Sequence, residues 1–405
     1  MKGFIKKHMP PQMAILIYRF INGNFNFLMW LFPIKYNKIV ICNYHGKGYG
    51  DNGKYIAEEL IRSGVDCSIV WLIGKYNITD QAFPENIKLL KYKSLRGLYE
   101  LCTARIWIDN CRKEFYPPKR KNQIYIQTWH GGIPLKKIEK DAEQKLSEIT
   151  IQIAKNDSKL ADYFISNSDF CTKLYQNSFW YNGAILEFGS PRCDVLFNKD
   201  NNTNFKAREY FGIDGDTNVV LYAPTFRASL SLKLYEIDFN NLARALEKKF
   251  GGKWVMLVRL HPNISTKSNL MEYPSRVINA SDYSDMYELL VASDVLLTDY
   301  SSTMFEFSMA NKPVFLYAPD IETYSVERGF YFDIHDLPYP VAETNNQLFA
   351  AVENFNLQTY TDDLEKFYAK LGLMENGNAS KRIVGIINNN ICTRNMRGDH
   401  SSREE

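Results

Sequence analysis

With 405 residues, 45% apolar and 23% charged, the chain has the length of two domains and a globular composition, which excludes a small module, a fibre and a disordered segment. Seven scattered cysteines, none in a Cys-x-x-Cys pair, exclude a zinc ribbon or a disulfide framework and fit a reducing cytosol. The net charge of +3 is uneven: residues 1–50 hold seven Lys and Arg and no acid, which leaves −4 for the rest.

Within that basic end, residues 13–34 read MAILIYRFINGNFNFLMWLFPI, interrupted by Arg19, Gly23 and three asparagines. A spanning helix needs about 20 mostly apolar residues, so this is a poor transmembrane segment and a better interfacial one. Two readings stay open: a helix packed on the body, or contact of Trp30, Phe32 and the basic charges with anionic lipid. Pro10 and Pro11, with no small-residue cleavage site beyond, argue against a signal peptide.

From residue 38, β-branched runs alternate with helical stretches, the pattern of parallel sheets covered on both faces. Strands are predicted at 38–43, 67–73, 104–109, 123–128, 162–167 and 184–189, making one Rossmann-like sheet. The polar stretch 198–204 reads as a linker. Strands then resume at 218–223, 254–260, 276–279, 294–299 and 313–318, with helices near 238–250, 283–292, 302–310, 345–354, 360–372 and 379–389. The last helix is a candidate to return to the first domain. The predicted division is an N-terminal segment 1–37, doubly wound domains 38–197 and 205–387 facing a cleft, and a polar tail 388–405.

Ligands of open parallel sheets bind at the carboxyl ends of the strands. After the first strand, YHGKGYGDNGKY places Gly48, Gly50 and Gly53 in Gly-x-Gly-x-x-Gly form, but the next strand ends without the ribose-binding acid of a dinucleotide fold. As a P-loop it fails at Tyr55, where Ser or Thr must hold magnesium. What remains is a turn whose amides at Gly48, Gly50 and Asn52 accept an anion, or one that merely joins strand to helix. After the fourth strand, QTWHGGIPLKK presents His130 between Trp129 and two glycines, before a helix predicted to open at Pro134 with Lys136 and Lys137. This suits a general base for a hydroxyl, with lysines drawing phosphate toward it. The run RKEFYPPKRK (112–121) adds five basic residues, a solvated face or a hold on a polyanionic acceptor.

In the second half, YAPTFR ends a strand with Arg227, RLHP ends another with Arg259 and His261, and TDYSSTMFEF ends a third with Ser301 and Ser302 at a helix start. A serine pair alone is an N-cap; beside arginines and a histidine on neighbouring strand ends it reads as a phosphate site, with Glu306 placed to reach a ribose. Asp214-Gly215-Asp216 reads as a turn rather than a metal site, no Gly-x-Ser-x-Gly elbow is present, and no helical metal pair of histidines appears.

The segments GYGDNGKY, YIQTWHGGIPLKK, GSPRCDVL, YAPTFR, RLHP, DVLLTDYSSTMFEFSMANKPVFLYAPD, RGFYFD and ENGNASKR together resemble the CDP-glycerol glycerophosphotransferases of teichoic-acid and capsule synthesis. The resemblance implies an α/β, glycosyltransferase-B-like fold, with 38–197 as the acceptor side and 205–387 as the CDP-donor domain. It implies a bacterial enzyme, peripheral on the cytoplasmic membrane face. The reaction it implies moves glycerol phosphate or ribitol phosphate from CDP-glycerol or CDP-ribitol to a polyprenyl-linked or polymer acceptor, releasing CMP. No cofactor, metal or nucleic-acid partner is expected. His130 matches the family's catalytic base, while His261, Ser301 and Ser302 match donor-phosphate ligands, with Arg227 beside them. The chain departs from the teichoic-acid pattern Trp-His-Gly-Thr-Pro by one residue in Trp129-His130-Gly131-Gly132-Ile133-Pro134, and carries Cys193 where Asn is common. It holds one transferase unit, without the added glycosyltransferase module of fused capsule polymerases. The alternatives are a nucleotide-sugar glycosyltransferase or epimerase on the same plan, and a non-catalytic membrane-bound subunit.

Overall fold

A computed structural model describes residues 31–74, 83–198, 201–227, 237–261 and 273–392, together with parts of 10–20. The expectation for residues 13–34 falls largely outside these, as does most of the tail 388–405. The chain forms two units, one of residues 1–130, 138–192 and 374–405, the other of 131–137 and 193–373.

The first unit is built on seven strands: β1 (Lys35–Cys42), β2 (Ser68–Ile73), β3 (Ile87–Lys91), β4 (Ala104–Asp109), β5 (Ile124–Gln127), β6 (Tyr163–Ser166) and β7 (Ala184–Glu187). They pair in parallel in the order β3-β2-β1-β4-β5-β6-β7. Consecutive buried residues such as Ile39, Val40 and Ile41 show that both faces are covered, as a parallel sheet requires. The edge strand β3 was not expected. Its sequence IKLLK buries only Ile87 fully, so it lacks the continuous apolar run of the inner strands.

Helix Asp51–Arg62 lies on this sheet, with Ile56, Ala57 and Leu60 packed beside Ile39, Ile41 and Trp71. The approach is close at Gly53: a Cβ there would sit 2.6 Å from Asn43 Oδ1 and 2.9 Å from Ile41 Cγ2. Thus the third glycine of the motif serves helix-to-strand packing. Ile383, Val384 and Ile387 of the last helix, Ala379–Cys392, complete the same core. That is why the first unit regains the chain at residue 374 instead of ending at 197.

The second unit contains β8 (Thr217–Tyr222), β9 (Lys253–Val258), β10 (Val277–Asn279), β11 (Val295–Thr298), β12 (Val314–Tyr317) and the two-residue β13 (Val341–Ala342), again parallel, in the order β10-β9-β8-β11-β12-β13. The stretch 198–204 is not simply a linker. Helix Asn201–Tyr210 begins inside it, and Arg208 fixes that helix to Asp294 at 3.1 Å and to the Thr217 carbonyl at 2.8 Å. Both sheets are Rossmann-like, and together they define the glycosyltransferase-B-like class. Each also reverses its winding once, between β1 and β4 and between β8 and β11, and these switch points are where loops part to admit a ligand.

Candidate active site

In the first unit, three loops meet at the switch point: 43–50 after β1, Asn110 after β4, and Thr128 to His130 after β5. His130 Nδ1 lies 2.8 Å from the Asn110 carbonyl oxygen. A carbonyl only accepts, so Nδ1 carries the proton and Nε2 keeps its lone pair. The ring rests on Trp129 at 4.3 Å between centroids and meets Tyr44 edge-on at 5.7 Å. Its surroundings are dense, and burial lowers its pKa below the ordinary imidazole value. The Asn110 hydrogen bond and Asp51 pull upward, Arg192 and Arg112 downward. A neutral imidazole with a free lone pair on Nε2 is chemically able to accept a proton.

In the glycine turn the Asn52 amide is already engaged within the chain. Gly48 takes φ +119°, which glycine permits, and the helix then opens at Asp51, itself left-handed at φ +53°. Asp51 Oδ1 accepts from the Asn52 amide at 2.7 Å, so an internal carboxylate occupies the place where an external anion was expected. Asn52, 2% exposed, donates to the Trp129 carbonyl at 3.0 Å and accepts from the Arg192 amide at 3.1 Å. Gly50 accepts from the Asn43 side chain.

The basic run 112–121 is mostly turned inward. Arg112 pairs with Glu139 at 3.0 Å and Asp157 at 3.2 Å, and Lys113 with Asp109 at 2.6 Å. Lys119 reaches Asp162 at 2.9 Å, and Arg120 donates to the Phe32 carbonyl at 2.8 Å. Neither a solvated face nor a polyanion patch results.

In the second unit, residues 131–137 form bends and an isolated bridge, and the helix expected at Pro134 is absent. The fully buried Ile133 and Leu135 anchor the segment. Its backbone is bonded to the RGFYFD stretch instead: Lys136 bridges Phe330, Lys137 N donates to Gly329 at 3.0 Å, and Tyr331 N donates to Leu135 at 2.8 Å. Lys136 Nζ donates to the Tyr324 hydroxyl at 2.9 Å, while Lys137 is exposed.

Arg227, His261 and Ser301 follow β8, β9 and β11, three adjacent strands. His261 is exposed, its ring 5.8 Å from Phe226. Ser301 Oγ accepts from Thr303 N at 3.3 Å and so caps helix Thr303–Ser308, whereas the Ser302 side chain makes no cap bond. Both serines are half-buried. Arg259, also half-buried, donates to the Ser284 carbonyl at 3.4 Å.

Two expected ligands serve as internal braces. Arg227, 4% exposed, pairs with Asp299 at 2.8 Å and with Asp320 at 2.6 and 2.9 Å, and its guanidinium lies 4.9 Å from the ring centres of both Tyr300 and Tyr324. Glu306, 2% exposed, accepts from the Tyr287 hydroxyl. Sequence reasoning gave no role to Asp51, Asn110 and Arg192. The available signal was that Asp51 and Arg192, of opposite charge, stand in two of the quoted segments, GYGDNGKY and GSPRCDVL.

Two parallel sheets, with a histidine at the switch point of one and hydroxyls, a histidine and an arginine on the strand ends of the other, suit a transferase acting on activated phosphates. The model of the family described as CDP-glycerol:poly(glycerophosphate) glycerophosphotransferase matches residues 24–389, and the chain belongs to that family. It is 32% identical over 369 residues to a teichoic acid poly(glycerol phosphate) polymerase of Bacillus spizizenii, covering 88% of this chain and 93% of that one. It is 33% identical to a teichoic acid glycerol-phosphate transferase of Staphylococcus aureus, covering 87% and 92%. The solved wall teichoic acid polymerase TagF superposes with a TM-score of 0.81 at 29% identity, over 97% of this chain and 99% of that one. A variant of TagF was also solved after soaking with CDPG. The protein is therefore an enzyme of CDP-alditol phosphotransfer in teichoic-acid synthesis, and the glycosyltransferase or epimerase alternative is not favoured.

Proposed function

We propose that the chain transfers glycerol phosphate from CDP-glycerol to a hydroxyl of a lipid-linked or polymer acceptor, with His130 as the base. The observation that carries this is His130 itself, an exposed residue whose Nδ1 is committed to the Asn110 carbonyl, which leaves the lone pair on Nε2. Nε2 takes the proton of the acceptor hydroxyl. That oxygen attacks the glycerol-bearing phosphorus, a new P–O bond forms in line, the bond to the CMP oxygen breaks, and CMP leaves with that electron pair. His261, Ser301, Ser302 and Arg259 are the groups proposed to hold the donor phosphates and offset their charge. Arg227 supports them by fixing the strand ends, through Asp299, which also accepts from Thr225 N at 2.8 Å. Glycerol is preferred to ribitol because the family and both quoted relatives are glycerol-phosphate enzymes.

CMP release from CDP-glycerol with a lipid-linked glycerol phosphate acceptor tests the reading. Turnover is expected to rise with pH through the His130 pKa, because only the neutral ring accepts a proton. Its acid limb should lie below the ordinary imidazole value, given the direction of the shift. Release of UDP from a UDP-sugar, with none of CMP, would refute the assignment.

A lipid-linked acceptor supports a position at the cytoplasmic membrane face. Exposed Leu16, Phe20, Leu31 and Phe32, in a stretch of seven cations and no acid, support contact with anionic lipid, and among the described residues no helix is long and apolar enough to cross a membrane. Co-sedimentation with phosphatidylglycerol vesicles, strong at low salt and lost with neutral lipid, is the expected result; equal binding to both would remove the charge argument.

A further inference from the structure

Seven groups around His130 form a closed hydrogen-bonded circuit. His130 Nδ1 donates to the Asn110 carbonyl at 2.8 Å, and the Asn110 side-chain oxygen accepts from Tyr44 N at 2.8 Å. The Tyr44 hydroxyl donates to Asp51 Oδ2 at 2.8 Å, and the same oxygen accepts from Arg192 Nη1 at 3.0 Å. Arg192 N donates to Asn52 Oδ1 at 3.1 Å, and Asn52 Nδ2 donates to the Trp129 carbonyl at 3.0 Å, one peptide bond from His130. Tyr44, Asp51 and Trp129 hold left-handed backbone at φ 42°, 53° and 55°. Such conformations cost about 1–3 kcal/mol each and persist only where the surroundings fix them. Arg192 and Asp51 are nearly buried, and a buried ion pair is a poor source of net stability but a strict constraint on geometry.

We infer that Asp51 and Arg192 are positioning residues for the transfer: they lock the turn Trp129-His130, hold the imidazole against the Asn110 carbonyl, and so keep Nε2 aimed at the acceptor. This rests on the reading of His130 as the base. Three charged groups act on the ring: Asp51 raises its proton affinity, and Arg192 and Arg112 lower it. Arg112 is itself held by Glu139 and Asp157. The uncharged Tyr44 and Trp129 complete its walls.

The two members of the pair therefore have distinguishable signatures. Asp51→Asn keeps shape and leaves Arg192 and Arg112 facing the ring, so the acid limb of kcat moves to lower pH. Arg192→Gln leaves Asp51, so the limb moves to higher pH, each by about one unit. Both variants should lose on the order of 10²-fold in kcat through misplacement of the ring, with KM for CDP-glycerol within about twofold of the parent. A merely structural pair would give no opposed shifts. Tyr44→Phe, which leaves the pair intact and removes one hydrogen bond, serves if either charge variant fails to fold; its kcat should fall with an unchanged donor KM. Limbs that stay put or move together, or kcat preserved in all three variants, would overturn the inference. If His130→Ala is inactive in the same assay, only the positioning role fails; if His130→Ala turns over normally, the reading of the base fails as well.

Discussion

His130→Ala is expected to lower kcat for CMP release by about 10²–10⁴-fold, the usual contribution of a positioned base. Affinity for CDP-glycerol, read by calorimetry, should stay within about twofold, because the groups proposed to hold the donor follow β8, β9 and β11. Stability should hardly change: the residue is exposed, and its Nδ1 hydrogen bond goes to a backbone carbonyl, that of Asn110. His261→Ala, on the strand-end loop after β9, should instead weaken donor binding and rate together. The two histidines are thus separated by which parameter moves. Full turnover in His130→Ala, or equal loss of donor affinity in both variants, would mean that the base lies elsewhere. His130→Gln sharpens the comparison, since its amide can reach a similar place but cannot accept a proton at neutral pH.

Much of this was legible from sequence because inner parallel strands are continuous β-branched runs. The stretches ARIWID and NVVLY carry their strands almost to the residue, and KIVIC carries β1 but for its first three residues. Half-buried edges are harder: IKLLK and the two residues of β13 present no such run. Charges mislead for a different reason. A sequence shows that Arg227, Glu306 or Arg112 is ionic but not what pairs with it, and the partners of Arg227 include a carboxylate 93 residues away. Likewise Asp51 and Arg192 are 141 residues apart, and only the folded sheet brings the loops after β1 and β7 together. Pro134 gave a helix-start signal that tertiary pairing with Phe330 overrode.

Arg227→Ala is expected to destabilise the second unit by about 3–5 kcal/mol in chemical denaturation, the usual cost of deleting one member of a buried charge network. Two carboxylates, Asp299 and Asp320, lose their common cation, and the stacked rings of Tyr300 and Tyr324 lose the guanidinium beside them. Burial pushes the Asp320 carboxyl up, but the hydrogen bonds and charge of Arg227 outweigh it and hold the pKa below its ordinary value. A depressed carboxylate adds stability above its unfolded pKa that is lost as pH falls through the folded one. The parent should therefore lose stability from this pair on acidification below about pH 4, and Arg227→Ala should lack that component. Arg227→Met combined with Asp299→Asn and Asp320→Asn should recover part of the loss, because no lone buried charge remains. Activity should follow folding in this series, with donor affinity restored in the triple variant to the extent that Ser301 and Ser302 regain their places. If Arg227→Ala keeps the parent's denaturation midpoint and loses only donor affinity, the guanidinium is a phosphate ligand after all and the brace is wrong.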